Sequence, residues 1–279
     1  MKVKEVMQKD VVVAEVPGNR QDIMEIIQET NVKAMPVVKK GTKEIVGVIS
    51  QTDLILNPDE DQIAILMKRD PIQISPDTSI KELVNLMLKN QLRRLPVTKG
   101  KEVVGMVSIG DIIKAISRMN IKNPIKDLLN KKVHVIWEGV PLSTVPTIMR
   151  LGKTRTLLCI DDNGQLSGIV SDLDFIKESK IVSEEKSSSI SSSSDKEWSW
   201  ETSDMLLITK KKLKLPNKPV REVMTKKVIT INEFTSISEC ASRMFKNKID
   251  QIPVLDAKGE ELIGMIEDET LITAFQNEN

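Results

Sequence analysis

Apolar and polar positions follow one order that recurs along the chain. Ile80-Lys-Glu-Leu83-Val84-Asn-Leu86-Met87 carries apolar residues at helical spacing. A strand-like Leu95-Pro96-Val97 follows, then a Lys99-Gly100 turn, then a second apolar strand that closes on Gly105-Met-Val-Ser108. Asp111 and Ile112 then open a further apolar helical stretch. Each repetition predicts a short strand, an amphipathic helix, two strands joined by a tight turn, and a helix. The fold class expected is α+β, built from compact units of about 60 residues.

Four segments end in the same phrase: Gly47-Val-Ile-Ser-Gln-Thr-Asp53, Gly105-Met-Val-Ser-Ile-Gly-Asp111, Gly168-Ile-Val-Ser-Asp-Leu-Asp174 and Gly264-Met-Ile-Glu-Asp-Glu-Thr270. Upstream stand Met35-Pro36-Val37, Leu95-Pro96-Val97 and Ile252-Pro253-Val254, with Leu157-Leu158-Cys159 in the third repeat. Short openings such as Val3-Lys-Glu-Val6-Met7, Ala64-Ile-Leu66-Met67 and Val220-Arg-Glu-Val223-Met224 precede them. The expected divisions are 1–60, 61–118, 124–178 and 216–279. Residues 1–118 are expected to form one pair and 124–275 another, joined near Arg118 to Pro124.

Residues 179–215 interrupt the third interval, with seven serines in the eight positions Ser187 to Ser194. So little apolar surface predicts a flexible loop over Ser183–Asp195. The stretch from Trp198 to Leu215 reads as strand-like, a candidate hairpin.

Composition narrows the function. Forty-one basic residues balance 40 acidic ones, which leaves no field to hold nucleic acid. No apolar run exceeds five residues, so a membrane span is not expected, and the N-terminus lacks a secretory pattern. A cytoplasmic protein is the expectation. Aromatic residues are only 3% of the chain, too few for base-stacking platforms. Cys159 and Cys240 read as buried structural thiols, and the single histidine, His134, has no ligand partner in register. With no nucleophile triad, metal cluster or phosphate loop, an enzyme is not expected.

The Ser-x-x-Asp phrase has two readings. Ser50, Ser108 and Ser171 suit helix caps, with Asp53, Asp111 and Asp174 complementing the helix dipole. The same geometry offers N–H groups and a hydroxyl to a phosphate, and a carboxylate to a ribose diol.

The strand–helix repeat, with apolar-Pro-Val and Gly-x-x-Ser/Thr-x-x-Asp at these spacings, resembles the CBS domain, named after cystathionine β-synthase. The resemblance implies four β-α-β-β-α repeats in two pseudo-two-fold pairs, with clefts for AMP, ADP, ATP, S-adenosylmethionine or methylthioadenosine. It implies Asp53, Asp111 and Asp174 as ribose ligands, with Ser50, Ser108 and Ser171 facing the phosphate. Adenine contacts map onto Val12-Val13 and Met35-Pro36 in the first repeat, and onto Ile72-Gln73-Ile74 and Leu95-Pro96 in the second. Arg93 and Arg94 suit a phosphate clamp, their alternative being a solvated helix end. Lys33 stands at the place of Arg93 in the first repeat.

Departures grade the sites. Glu267 and Thr270 replace Ser and Asp in the fourth repeat, where a carboxylate would repel phosphate. The third repeat lacks proline at Leu158, and the second departs least. The leading expectation is a regulatory module for an adenosine derivative, with no catalytic cofactor, a homodimer through paired repeats and a protein partner yet to be named. The alternative is a scaffold with vestigial sites that meets a partner through the serine-rich insertion or the Trp198/Trp200 segment.

Overall fold

The computed structural model describes residues 1–30, 32–57, 60–154, 156–171, 174, 178, 180–188 and 206–276. Among these the chain divides into two compact units. The first holds residues 1–130, 230–259 and 263–279, and the second holds 131–229 with 260–262.

The first repeat runs through α1 (Val3–Val6), β1 (Ala14–Val16), α2 (Arg20–Thr30), β2 (Ala34–Lys39), β3 (Ile45–Ser50) and α3 (Gln51–Leu56). The second uses α4 (Ile63–Leu66), β4 (Lys68–Arg69), α5 (Ile80–Asn90), β5 (Arg94–Lys99), β6 (Glu102–Ser108) and α6 (Ile109–Ile116). Hairpins β2–β3 and β5–β6 are antiparallel, while β1 joins β2 in parallel, as the β-α-β order requires. Serine caps start the helices: the Ser79 hydroxyl accepts from the Glu82 N–H at 3.2 Å. The apolar stripe of α5, Ile80, Leu83, Val84 and Met87, is buried.

Opening arms are exchanged between repeats one and two. The N-terminal arm lies on the second repeat, where Gln8 and Met106 exchange two backbone hydrogen bonds of 2.9 Å. In return β4 pairs with β3, setting Arg69 against Gly47. The motif glycines permit this crossing. A Cβ on Gly105 would stand 2.7 Å from the Gln8 carbonyl and 2.9 Å from the Met7 sulfur. At Gly47 it would meet the Met67 sulfur at 2.6 Å and the Lys68 carbonyl at 2.9 Å.

The fourth repeat, β12 (Ile231–Asn232), α8 (Ile237–Asn247), β13 (Gln251–Leu255), β14 (Leu262–Glu267) and α9 (Asp268–Leu271), packs largely with the second. Ile112, Ile116, Cys240, Met244 and Phe275 share one buried cluster with α5. The Ser238 hydroxyl donates to the Ile116 carbonyl at 2.8 Å and accepts from the Ile121 N–H at 2.8 Å. Asn130 crosses Met265 with two backbone bonds of 3.1 and 3.0 Å, the same exchange that Gln8 makes with Met106. Helix α6 ends at Ile116, well before Pro124, which instead precedes a 3-10 turn over Ile125–Leu128.

The second unit is the third repeat: β7 (Val135–Trp137), α7 (Val145–Gly152), β8 (Thr156–Ile160) and β9 (Leu166–Ser171) form a sheet of order β7-β8-β9 with a helix. Ile169 exchanges backbone bonds with Thr225 at 3.1 and 2.9 Å. Strands β10 (Lys180–Ser188) and β11 (Leu206–Lys214) pair antiparallel, with Glu184 opposite Lys210 and Ser183 opposite Lys211. The expected loop does not cover Ser183–Ser188, which run in a strand. Counting apolar side chains misses this, because the ladder is made by backbone groups that every residue except proline carries in full. The rest of the serine tract, with Trp198 and Trp200, lies outside the described residues.

The glycine crossing yields a direct test. Gly105→Ala is expected to lose about 1–3 kcal/mol in urea unfolding through overpacking against the arm. Gly110→Ala in α6, whose Cβ would meet nothing closer than 3.6 Å, is expected to be neutral or mildly stabilising. Equal losses would contradict the crossing.

Candidate functional site

At the end of β6 the chain turns into α6 through a reciprocal cap. The Ser108 N–H and hydroxyl donate to one Asp111 carboxylate oxygen at 2.8 and 2.5 Å, and the Asp111 N–H returns a bond to the Ser108 hydroxyl at 3.3 Å. Ser50 and Asp53 repeat this with 2.8, 2.5 and 3.4 Å. Ser171 donates to Asp174 at 2.8 and 2.9 Å. One carboxylate oxygen of each aspartate is thus given to the helix start.

The second oxygen faces the exchanged arm. The Gln8 side-chain amide donates to Asp111 Oδ1 at 3.1 Å, and Lys68 Nζ stands 3.8 Å from Asp53 Oδ1. Gln8 and Lys68 each follow the methionine of an opening motif, so they occupy equivalent places in the two repeats. Residue patterns along one repeat did not single them out; the recurring methionine just before them was the available signal.

The two arginines separate. Arg93 bonds Asp268 at 2.5 Å and Glu269 at 2.9 Å, and approaches Asp250 at 3.4 Å. Burial works against its charge, and these carboxylates overcome that, so its pKa is raised. Asp268 is only 5% exposed, and burial pushes its carboxyl up to about 6 against the pull of Arg93. Arg93 is therefore a tie to the fourth repeat and is not held ready for a phosphate, a correction to the paired clamp.

Arg94 lies in β5 directly across from Ser108. Its guanidinium makes no hydrogen bond or ion pair with the described residues. Burial, then the neighbouring Arg93 charge, lower its pKa, while Asp111, Asp268 and Asp250 attract it from a distance. The corresponding places hold Ala34 opposite Ser50 and Thr156 opposite Ser171.

The other candidate residues are distributed differently. Met35, Leu95, Pro36 and Pro96 are buried in the sheets, Val13 is half-buried, and Lys33 is exposed. Ile74 is hydrogen-bonded to Pro96 through its backbone N–H at 3.1 Å. Ile72, 40% exposed, and Ile74 line an open pocket of about 450 Å³ together with Thr78, Glu82, Asn85 and Lys89. Neither Ser108 nor Asp111 lines that pocket. Both cysteine thiols are pushed up to about 12 by burial, which leaves them unreactive.

Sequence comparison matches the CBS domain four times, at residues 3–59, 61–118, 125–180 and 220–277. The chain belongs to the CBS-domain family. The uncharacterized protein YlbB of Bacillus subtilis is 33% identical over 117 residues, 40% of this chain and 79% of that protein. Among solved structures, an uncharacterized conserved protein from Pyrococcus horikoshii is 27% identical with a TM-score of 0.69, covering 98% of this chain and 99% of its own. Protein MJ1225 from Methanocaldococcus jannaschii shares the fold at 19% identity with a TM-score of 0.71, covering 99% and 100%. Among the described residues no helix is long and apolar enough to cross a membrane.

The arginine assignment is testable by stability. Arg93→Ala is expected to cost about 3 kcal/mol, because it leaves a buried carboxylate uncompensated. Adding Asp268→Ala should recover part of that loss in a double-mutant cycle. Strict additivity would contradict the tie.

Proposed function

We propose that this chain is a regulatory module, without catalytic chemistry of its own, that binds an adenosine derivative between paired CBS repeats in the cytoplasm. The ligand class comprises AMP, ADP, ATP, S-adenosylmethionine and methylthioadenosine. The reading rests above all on Arg94, a half-buried guanidinium with no hydrogen bond or close ion pair, set across from Ser108 at the start of α6.

In this reading the N–H groups at the helix start and Arg94 receive the phosphate. The ribose diol displaces the Gln8 amide from Asp111 Oδ1, since the other oxygen is committed to the cap. Adenine lies against backbone and apolar groups of the Ile72–Ile74 segment and Leu95-Pro96. Ser50, Asp53, Val13, Met35 and Pro36 supply a related site in the first repeat, and Ser171 with Asp174 a reduced one in the third. The fourth repeat is expected to take no phosphate, its acidic residues already facing Arg93. Binding regulates by favouring one arrangement of the repeats, and Gln8 links the site to the exchanged arm.

One observation favours a scaffold instead: the Ser108–Asp111 bonds are complete as a helix cap without any ligand. Isothermal titration separates the two. Asp111→Ala should weaken AMP binding by about 1.5–3 kcal/mol, the range for hydrogen bonds to a charged group. Thr270→Ala should change it little. Arg94→Ala should weaken AMP about tenfold while leaving adenosine unaffected, which reports the phosphate contact itself. Unchanged binding in Asp111→Ala, or no binding by the wild type, would make the motif a cap and favour the scaffold.

A further inference from the structure

Each repeat begins its sheet with a short strand or, in repeat two, an isolated bridge, and pairing aligns the four: Ala14 with Val37, Ile74 with Val97, Ile136 with Cys159 and Ile231 with Val254. The aligned residue is buried every time. The residues flanking it point outward, and they are Val13 and Glu15, Gln73 and Ser75, or Thr230 and Asn232 in repeats one, two and four. In the third repeat they are Val135 and Trp137, 39% and 48% exposed. Only there are both flanking residues large and at least a third exposed.

β7 has β8 on one side and no strand on the other among the described residues. The His134 carbonyl accepts from Leu158 at 3.0 Å and the Glu138 N–H donates to Ile160 at 2.9 Å. Alternation along the strand therefore turns the N–H and C=O of Val135, and the N–H of Trp137, away from β8. Such an edge is normally guarded by charge or proline at its outward positions. Here the charges sit only at the flanks, as Lys132 and Glu138.

We propose that a second copy of this chain docks on this edge, β7 against β7, antiparallel about a two-fold axis at Val135. In that register Lys132 meets Glu138 of the second copy twice over, Val133 meets its Trp137, and Val135 meets itself. The outward backbone groups of Val135 face their own counterparts, as a hydrogen-bonded antiparallel pair requires. Moving the axis to a neighbouring residue loses both the charge match and the backbone match. A self-complementary patch of this kind closes as a two-fold dimer. Trp137 is already oriented, because its indole N–H donates to Asp162 at 2.7 Å, so little side-chain freedom is lost on docking.

Sedimentation equilibrium on the full chain tests the proposal, with circular dichroism melting to verify that each variant is folded. Wild type is expected to dimerise. Trp137→Glu, which restores the acidic residue of repeat one, should weaken association at least about tenfold. Lys132→Glu alone should weaken it severalfold by setting like charges opposite one another, and Lys132→Glu with Glu138→Lys should restore it. A wild type still monomeric at about 100 μM, weaker than even small specific interfaces, would overturn the proposal and leave the edge to another occupant. So would a dimer indifferent to Trp137→Glu, or a double reversal no better than the single one.

Discussion

A carbonyl oxygen that would stand 2.7 Å from a Cβ on Gly105 reserves that position for glycine, and the arm carrying that carbonyl belongs to another repeat. Gly264 meets the Asn130 carbonyl at the same 2.7 Å, and Gly47 and Gly168 lie under Met67 and Met224. At each crossing backbone hydrogen bonds run between arm and strand at almost no separation from the sheet. Each repeat thus completes its sheet with a segment it does not own. A unit of this size holds a marginal core alone, so the exchange makes folding of one repeat conditional on the other. The arm also delivers Gln8 and Lys68 to the motif aspartates, so the exchange that stabilises the pair also builds the candidate sites.

Burial without compensation distinguishes the two neighbouring arginines. Arg93 was brought under the fourth repeat together with Asp268 and Glu269, and its charge is answered there. A pair of this kind contributes modestly as a pair, since both ions lose water, but removing one member is costly. Arg94 lost part of its hydration, and Asp111, Asp268 and Asp250 attract it only from a distance, with no hydrogen bond or close ion pair in return. An arriving anion would recover electrostatic energy that folding left unused.

Much of the fold was legible because the same order appears four times: the helix over Ile80–Asn90 and the hairpins at Pro36, Pro96 and Pro253 stand where periodicity and turns put them. The caps were legible too, since Ser-x-x-Asp before an apolar run has a local cause. The arm exchange was not, because it links Gln8 to Met106 across about a hundred positions and leaves only a recurring methionine and a glycine as traces. The ion pairs of Arg93 were not legible for a related reason. The carboxylates that claim Arg93 come from a distant repeat. The start of the serine tract was misread because ladder formation is indifferent to side-chain polarity when the partner strand is covalently near.

Internal repetition supplies its own controls, since four copies of one scaffold differ at few places that matter. Across from the motif serine stand Ala34, Arg94 and Thr156, so only the second repeat adds a cation to a helix start that already favours anions. The fourth repeat replaces the serine by Glu267 and surrounds its short helix with acid, which a cation from the second repeat then meets. A phosphate placed there would face carboxylates in a half-desolvated setting, where repulsion is weakly screened. The acidic residues of the fourth repeat are therefore what draws Arg93 away from the second. Arg94 remains as the cation at that site, and the tie between repeats two and four is a condition of its single-arginine character.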